Sequence, residues 1–290
     1  MFSKIINRFT CSEKQLPYII YNLNKQNMYP IIDYINENGK NHYKNYKKIK
    51  QVINQYPNNH FSIKMSSLSI HENLNLSRRY VDMICEEAIE QNCKILIDAE
   101  DYKIQDDINE ITDNLMKKYN TNDTYIYKTY QCYRNDSFEL IKHDIQERQN
   151  SIDNYNIGIK LVRGAYYNQD YKHGILFDNI EDTHYNFNLV ADFLLENIQT
   201  NDKIMIASHN NESVERLLLK CDNDKDKNKE ENLEFAQLLG MNNELSNKIA
   251  SLDKYKNYKY VPFGNFKESI PYLMRRLYEN KDAIKYIFFY

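Results

Sequence analysis

Near its C-terminus the chain reads Tyr260-Val261-Pro262-Phe263-Gly264. A short polar link follows, and then Pro271-Tyr272-Leu273-Met274-Arg275-Arg276-Leu277-Tyr278-Glu279-Asn280. The first block has the aromatic and β-branched make-up of a strand closed by glycine, and the second has helical spacing. A last strand thus feeds a last helix. On that helix Tyr272, Arg275, Arg276 and Glu279 fall at i, i+3, i+4 and i+7, so a phenol, two guanidiniums and a carboxylate share one face. Two readings fit this face. It is a solvated surface with an Arg275 to Glu279 ion pair worth about 0.3–0.5 kcal/mol, or it is a fork whose paired guanidiniums match the two oxygens of a planar carboxylate.

Working outward, the same unit recurs. Runs rich in apolar and β-branched residues lie at Met28–Tyr34, His60–Ser67, Lys94–Glu100, Tyr125–Tyr133, Asn156–Tyr166, Lys203–His209, Leu233–Gly240 and Lys259–Gly264. Polar stretches of helical period separate most of them. Ser77–Gln91 carries Val81, Ile84, Cys85 and Ala88 on one side, and Glu181–Gln199 carries Phe187, Val190, Phe193 and Leu194. Eight strand-helix units in one chain predict an α/β fold of the (β/α)8 TIM-like barrel type, distorted, with the last helix closing over the C-terminal mouth. The expected organisation is an N-terminal helical arm over 1–27 and a single barrel domain over 28–290, with Asp222–Asn232 as a solvated loop.

Composition removes several function classes. Lys and Arg number 38 against 41 Asp and Glu, and a net charge of −3 offers no basic field for nucleic acid. The 5 cysteines are odd in number and form no Cys-x-x-Cys, which argues against a disulfide framework or a zinc site and suits a reducing compartment. No apolar run approaches the ~20 residues needed to span a bilayer. Met1–Ser12 carries Lys4 and Arg8 and no acid, a weak likeness to an organelle transit segment that an ordinary helix would share. None of the 6 glycines makes a Rossmann turn or a P-loop, so a nucleotide cofactor would be held some other way.

In a parallel barrel the chemistry gathers at the C-terminal ends of the strands. Polar residues collect there: Lys64, Asp98, Glu100, Gln131, Lys160, Arg163, Tyr166, Ser208, His209, Asn210, Gln237 and Tyr260. Each alone has an ordinary explanation, such as a helix cap for Asp98 or a snorkelling stem for the lysines. Their repetition in buried strands is costly unless a ligand fills the mouth, because an unpaired charge inside a barrel costs several kcal/mol.

These motifs are similar to those of the proline dehydrogenase family. The resemblance is carried by Ser-Ile-Lys-Met-Ser at 62–66, Ile-Asp-Ala-Glu at 97–100, Tyr-Gln-Cys-Tyr at 130–133 and Lys-Leu-Val-Arg-Gly-Ala-Tyr at 160–166. Ser-His-Asn at 208–210, Gln-Leu-Leu-Gly-Met at 237–241 and the Tyr272–Asn280 block complete it. It implies a non-covalent FAD across the barrel mouth and L-proline stacked on the flavin. Arg275, Arg276 and Lys64 are then expected to hold the substrate carboxylate, Asp98 to hold Lys64, and Glu279 to orient the arginines. Tyr260, Tyr272 and Tyr166 are expected to wall in the pyrrolidine ring. Lys160 is placed near the flavin N5, and Gln131, Arg163, Gly164, Tyr166, Ser208, His209, Asn210 and Gln237 on the cofactor side.

The implied reaction is oxidation of L-proline to Δ1-pyrroline-5-carboxylate by hydride transfer to FAD, with a quinone as electron acceptor. Peripheral membrane association, mitochondrial if the source is eukaryotic and cytoplasmic beside the inner membrane otherwise, comes with it. Tyr260 favours the proline type, since hydroxyproline-oxidising relatives carry a small residue there. Rival readings are a hydroxyproline or other cyclic-amine dehydrogenase, and a FAD-binding barrel without turnover in a regulatory role.

Overall fold

The computed structural model describes residues 8–36, 41–223 and 227–264. The order begins α1 (Leu16–Lys25), β1 (Tyr29–Tyr34), α2 (His42–Gln55), β2 (His60–Ile63), a 3-10 turn (Met65–Leu68), α3 (Leu74–Glu90), β3 (Lys94–Ile97), α4 (Tyr102–Tyr119) and β4 (Ile126–Gln131). It continues α5 (Ser137–Asn150), β5 (Gly158–Val162), a short α6 (Tyr167–Asp170), α7 (Ile180–Asn197), β6 (Lys203–Ala207), α8 (Asn211–Asn223), α9 (Lys227–Asn232), β7 (Leu233–Leu238), α10 (Asn243–Ser251) and β8 (Lys256–Phe263). The strands form a closed barrel in the order β1 to β8, and the paired strands β1 and β2, β1 and β8, β4 and β5, and β5 and β6 run parallel. The expected (β/α)8 barrel is present. Two compact units divide the chain, Met1–Ile95 with Ala236–Tyr290, and Leu96–Phe235.

All eight expected strands form, most of them shorter than the runs that announced them. Runs two, three, five and six continue past the last ladder hydrogen bond into the loops that carry Lys64, Asp98, Arg163 and Ser208. The eighth strand is longer, starting at Lys256 rather than Lys259. Asn257, outside the expected run, and Lys259 at its start are both buried and bonded to α10 and the turn before it, Asn257 Nδ2 donating to Ser246 O at 2.8 Å and Lys259 Nζ to Met241 O at 2.8 Å. A second correction concerns Asp222–Asn232, where α8 runs on to Asn223 and Lys227–Asn232 forms α9 instead of loop. The expected last helix, with Tyr272, Arg275, Arg276 and Glu279, lies outside the described residues.

The helices pack as their periods require. Val81, Ile84, Cys85 and Ala88 of α3 and Phe187, Val190 and Leu194 of α7 are buried, while Phe193 sets its ring edge-on to Phe138, 5.3 Å between centroids. The asparagine richness has a local use. Asn41, Asn73, Asn179 and Asn242 each cap a helix, the side-chain carbonyl accepting a backbone N–H of the first turn. Ahead of α1, Cys11 runs alongside the end of β8, its N–H donating to Pro262 O at 3.0 Å and its carbonyl accepting from Gly264 N at 3.1 Å.

Candidate functional site

In the first unit, Lys64 follows the end of β2. Its Nζ donates to Asp33 Oδ1 at 2.7 Å and to the Tyr260 hydroxyl at 3.0 Å, and it lies 5.6 Å from the centre of the Tyr260 ring. Tyr260 in turn donates to Ser62 Oγ at 3.1 Å. Strands β1 and β8 thus hold the ammonium that follows β2, and Ser62 of β2 in turn anchors Tyr260. Asp33 is 1% exposed and was missed by sequence reasoning. Its signal was a carboxylate inside Pro30-Ile31-Ile32-Asp33, an apolar strand with no other polar group. The resemblance implied Asp98 as the partner of Lys64; within its own unit Lys64 has Asp33.

In the second unit, Asp98 sits just past β3 and accepts from Lys160 Nζ on β5 at 2.5 Å, both groups buried. An ion pair taken out of water needs such close geometry, because desolvation of each charge costs several kcal/mol. Gln131 ends β4 and ties its neighbours: Nε2 donates to Glu100 O at 3.0 Å, and Oε1 accepts from Ala165 N at 3.0 Å. Tyr166 brings its hydroxyl 3.5 Å from Glu100 Oε2. Gly164 has φ +145°, and a Cβ there would lie 2.1 Å from the Tyr133 ring, so close approach and backbone conformation both exclude a side chain.

Arg163 is the electrostatic centre of this unit. Its Nε donates to His184 Nδ1 at 2.8 Å, Nη1 to Ser208 Oγ at 2.7 Å and Nη2 to Ser213 Oγ at 2.9 Å, with the guanidinium 4.2 Å from the centre of the Phe187 ring. All of these partners are uncharged as bonded here, and among the described residues no carboxylate forms an ion pair with it. Burial lowers its pKa from 12.5 to about 10, with the Cys132 thiol and Glu212 partly offsetting that effect. Ser208 and Ser213 flank the start of α8, where Asn210 Oδ1 accepts from Ser213 N at 2.9 Å as the helix cap. His209 lies between them in that turn. An unneutralised cation beside a helix N-terminus is an anion site by its chemistry.

Gln237, expected on the cofactor side, accepts from Ser246 Oγ of α10 at 2.8 Å through Oε1, while its Nε2 is buried with no hydrogen-bond partner among the described residues. Among the described residues no group of three or more His, Cys, Asp or Glu could hold a metal ion, and no helix is long and apolar enough to cross a membrane.

A closed parallel barrel with buried lysine-carboxylate pairs, Lys160 and Asp98 on its β5 and β3 and Lys64 and Asp33 on its β2 and β1, is the build of a barrel enzyme. The chain belongs to the proline dehydrogenase family, whose model matches residues 21–287. It is 30% identical over 232 residues to human "Proline dehydrogenase 1, mitochondrial", the match covering 76% of this chain and 38% of the relative. Against the protein of the same name from Caenorhabditis elegans it is 34% identical, covering 73% of this chain and 35% of that one. The crystal structure of proline utilization A from Bdellovibrio bacteriovorus inactivated by N-propargylglycine superposes with a TM-score of 0.85 at 20% identity, over 96% of this chain and 33% of the other. The chain therefore spans about a third of each.

Proposed function

We propose that the chain carries out the flavin-dependent oxidation of L-proline to Δ1-pyrroline-5-carboxylate, with FAD bound non-covalently and the electrons passed to a quinone. The observation that carries this reading is Arg163. A desolvated guanidinium held only on uncharged partners at a helix N-terminus fits the phosphates of FAD, which would supply the missing negative charge. Ser208, His209 and Asn210 form the turn that would share this task. Gln131, Gly164 and Tyr166 shape the same unit, and the flavin, when bound, supplies the hydride acceptor.

The roles of this chain's own residues follow from their settings. Lys160 would keep a cation beside the redox end of the cofactor, and Asp98 holds that ammonium in one place. In the first unit Lys64 is a point charge suited to a carboxylate, with Asp33 and Tyr260 fixing its direction. Tyr260 would present its ring to the pyrrolidine and exclude water. Arg275, Arg276, Tyr272 and Glu279 are assigned to the substrate end by their motif. Mitochondrial location for a eukaryotic source accords with the names of the relatives, and the quinone acceptor agrees with a place at a membrane surface.

The test is spectroscopic. The purified protein should absorb as a flavoprotein, and L-proline added without oxygen should bleach it, with an added quinone restoring the colour. Bleaching by 4-hydroxyproline in place of proline would overturn the substrate assignment, and absence of flavin uptake would overturn the whole reading.

A further inference from the structure

We propose that Thr129 is a further cofactor-contacting residue, its hydroxyl hydrogen-bonding the flavin ring system beside Lys160. Contacts along β4 establish which way each side chain points. Lys128 reaches Asp113 on α4 and Asp144 on α5, and Tyr130 reaches Asp144, so these two point outward to the helices. Tyr127 donates to Glu234 on β7, a strand that is not a neighbour of β4, so it crosses the interior. Alternation then puts Thr129 inward with Tyr127 and Gln131.

Thr129 is in register with Lys160 on the next strand. Because β4 lies between β3 and β5, the Asp98 to Lys160 ion pair spans β4 on that same interior side. The Thr129 hydroxyl takes no part in it. The residue is 5% exposed and its Oγ1 has no hydrogen-bond partner. Leaving a buried hydroxyl unbonded costs about 1–3 kcal/mol, which valine of the same shape would avoid. Threonine at this point of the barrel is explained if its partner arrives with the ligand. The inference rests on the flavin reading above and extends it to a residue outside the Tyr-Gln-Cys-Tyr motif.

The experiment titrates FAD into flavin-free protein and follows flavin fluorescence, excited in the visible where the side chains do not absorb. Thr129→Val should raise Kd about three- to tenfold. It should also shift the visible absorption of the bound flavin and leave the unfolding midpoint of the flavin-free protein unchanged or higher. Thr129→Ser should restore both Kd and spectrum. A valine variant with wild-type Kd and spectrum overturns the proposal. So does one whose flavin-free midpoint falls along with its affinity, since the hydroxyl would then be structural. If the valine variant does not fold, Thr129→Ala against Thr129→Ser decides: weaker binding by alanine alone supports the contact, and equal binding overturns it. Failure of the wild type to take up FAD would sink the flavin reading itself, before any variant is compared.

Discussion

Replacing Arg163 with methionine should cost the flavin-free protein about 1–5 kcal/mol and weaken FAD binding by about two orders of magnitude. The stability side follows from opposing effects. Burial takes the guanidinium pKa from 12.5 to about 10, and at ~1.4 kcal/mol per unit this is roughly 3 kcal/mol against the charged form that the folded protein must keep. Methionine removes that cost and still covers the Phe187 ring. Against it stand three hydrogen bonds from the charged guanidinium, to His184, Ser208 and Ser213, each worth about 1.5–3 kcal/mol. The bonds outweigh the relief, leaving a net loss of about 1–5 kcal/mol.

The cofactor side has no such offset. Two charge-assisted bonds to phosphate oxygens contribute about 1.5–3 kcal/mol each, so their loss raises Kd by about a hundredfold or more. Urea unfolding of the flavin-free protein measures the first quantity and fluorescence titration with FAD the second. A Kd within about twofold of wild type would refute the phosphate assignment. Collapse of the flavin-free protein by well over ~5 kcal/mol would refute it from the other direction, by making Arg163 a structural residue.

Lys160→Ala should slow flavin reduction at saturating proline far more than it weakens FAD retention, since several residues share the grip on the cofactor. Stopped-flow bleaching checks this, and an unchanged rate would remove Lys160 from the redox end. Asp202→Asn should destabilise the protein by about 3–5 kcal/mol, because Asp202 is the buried partner of Arg148 at 3.0 Å and also accepts from Ile157 N and Gln199 N; denaturant midpoints measure it. Lys259→Met should produce a stability difference that depends on pH. Burial lowers the Lys259 pKa from 10.5 to about 7, so between those values the unfolded chain binds more protons and wild-type stability rises with pH. The methionine variant lacks that rise, and its advantage over wild type should be largest at or below about pH 7 and shrink toward pH 10; parallel curves would place Lys259 in contact with water.

The number and type of elements were legible because a strand and a helix differ in length and period, and eight repeats of that difference leave little choice of architecture. Which way each polar strand residue points was not legible. Parallel strands are buried on both faces, so their apolar residues run on without alternation and give no parity. Lys128 and Lys160 look alike in sequence, each a lysine among apolar neighbours, yet Lys128 turns out to two helix carboxylates and Lys160 turns in to Asp98. Asp33 was passed over because a lone aspartate in a short strand carries no motif, and only the fold brings Lys64 to it.

That ambiguity has a physical resolution, and it bears on how a site is recognised. The outward charges of this barrel are neutralised where they stand: Lys128 has two carboxylates and Arg148 has Asp202. Such pairs are complete without any ligand, and removing one partner harms folding alone. Arg163 differs in kind, a desolvated cation whose partners are hydroxyls and an imidazole, and Thr129 differs likewise as an interior hydroxyl bonded to nothing. The unbonded Thr129 hydroxyl costs the free protein stability, and the burial cost of Arg163 is offset there only by bonds to uncharged groups; stability forgone in the free protein while affinity is gained in the complex is the thermodynamic mark of a binding residue. Arg163→Met should raise the Kd for FAD about a hundredfold, whereas Asp202→Asn should harm folding and leave the affinity of the folded molecules unchanged, so the pair separates site from scaffold by measurement, independently of any likeness to a relative.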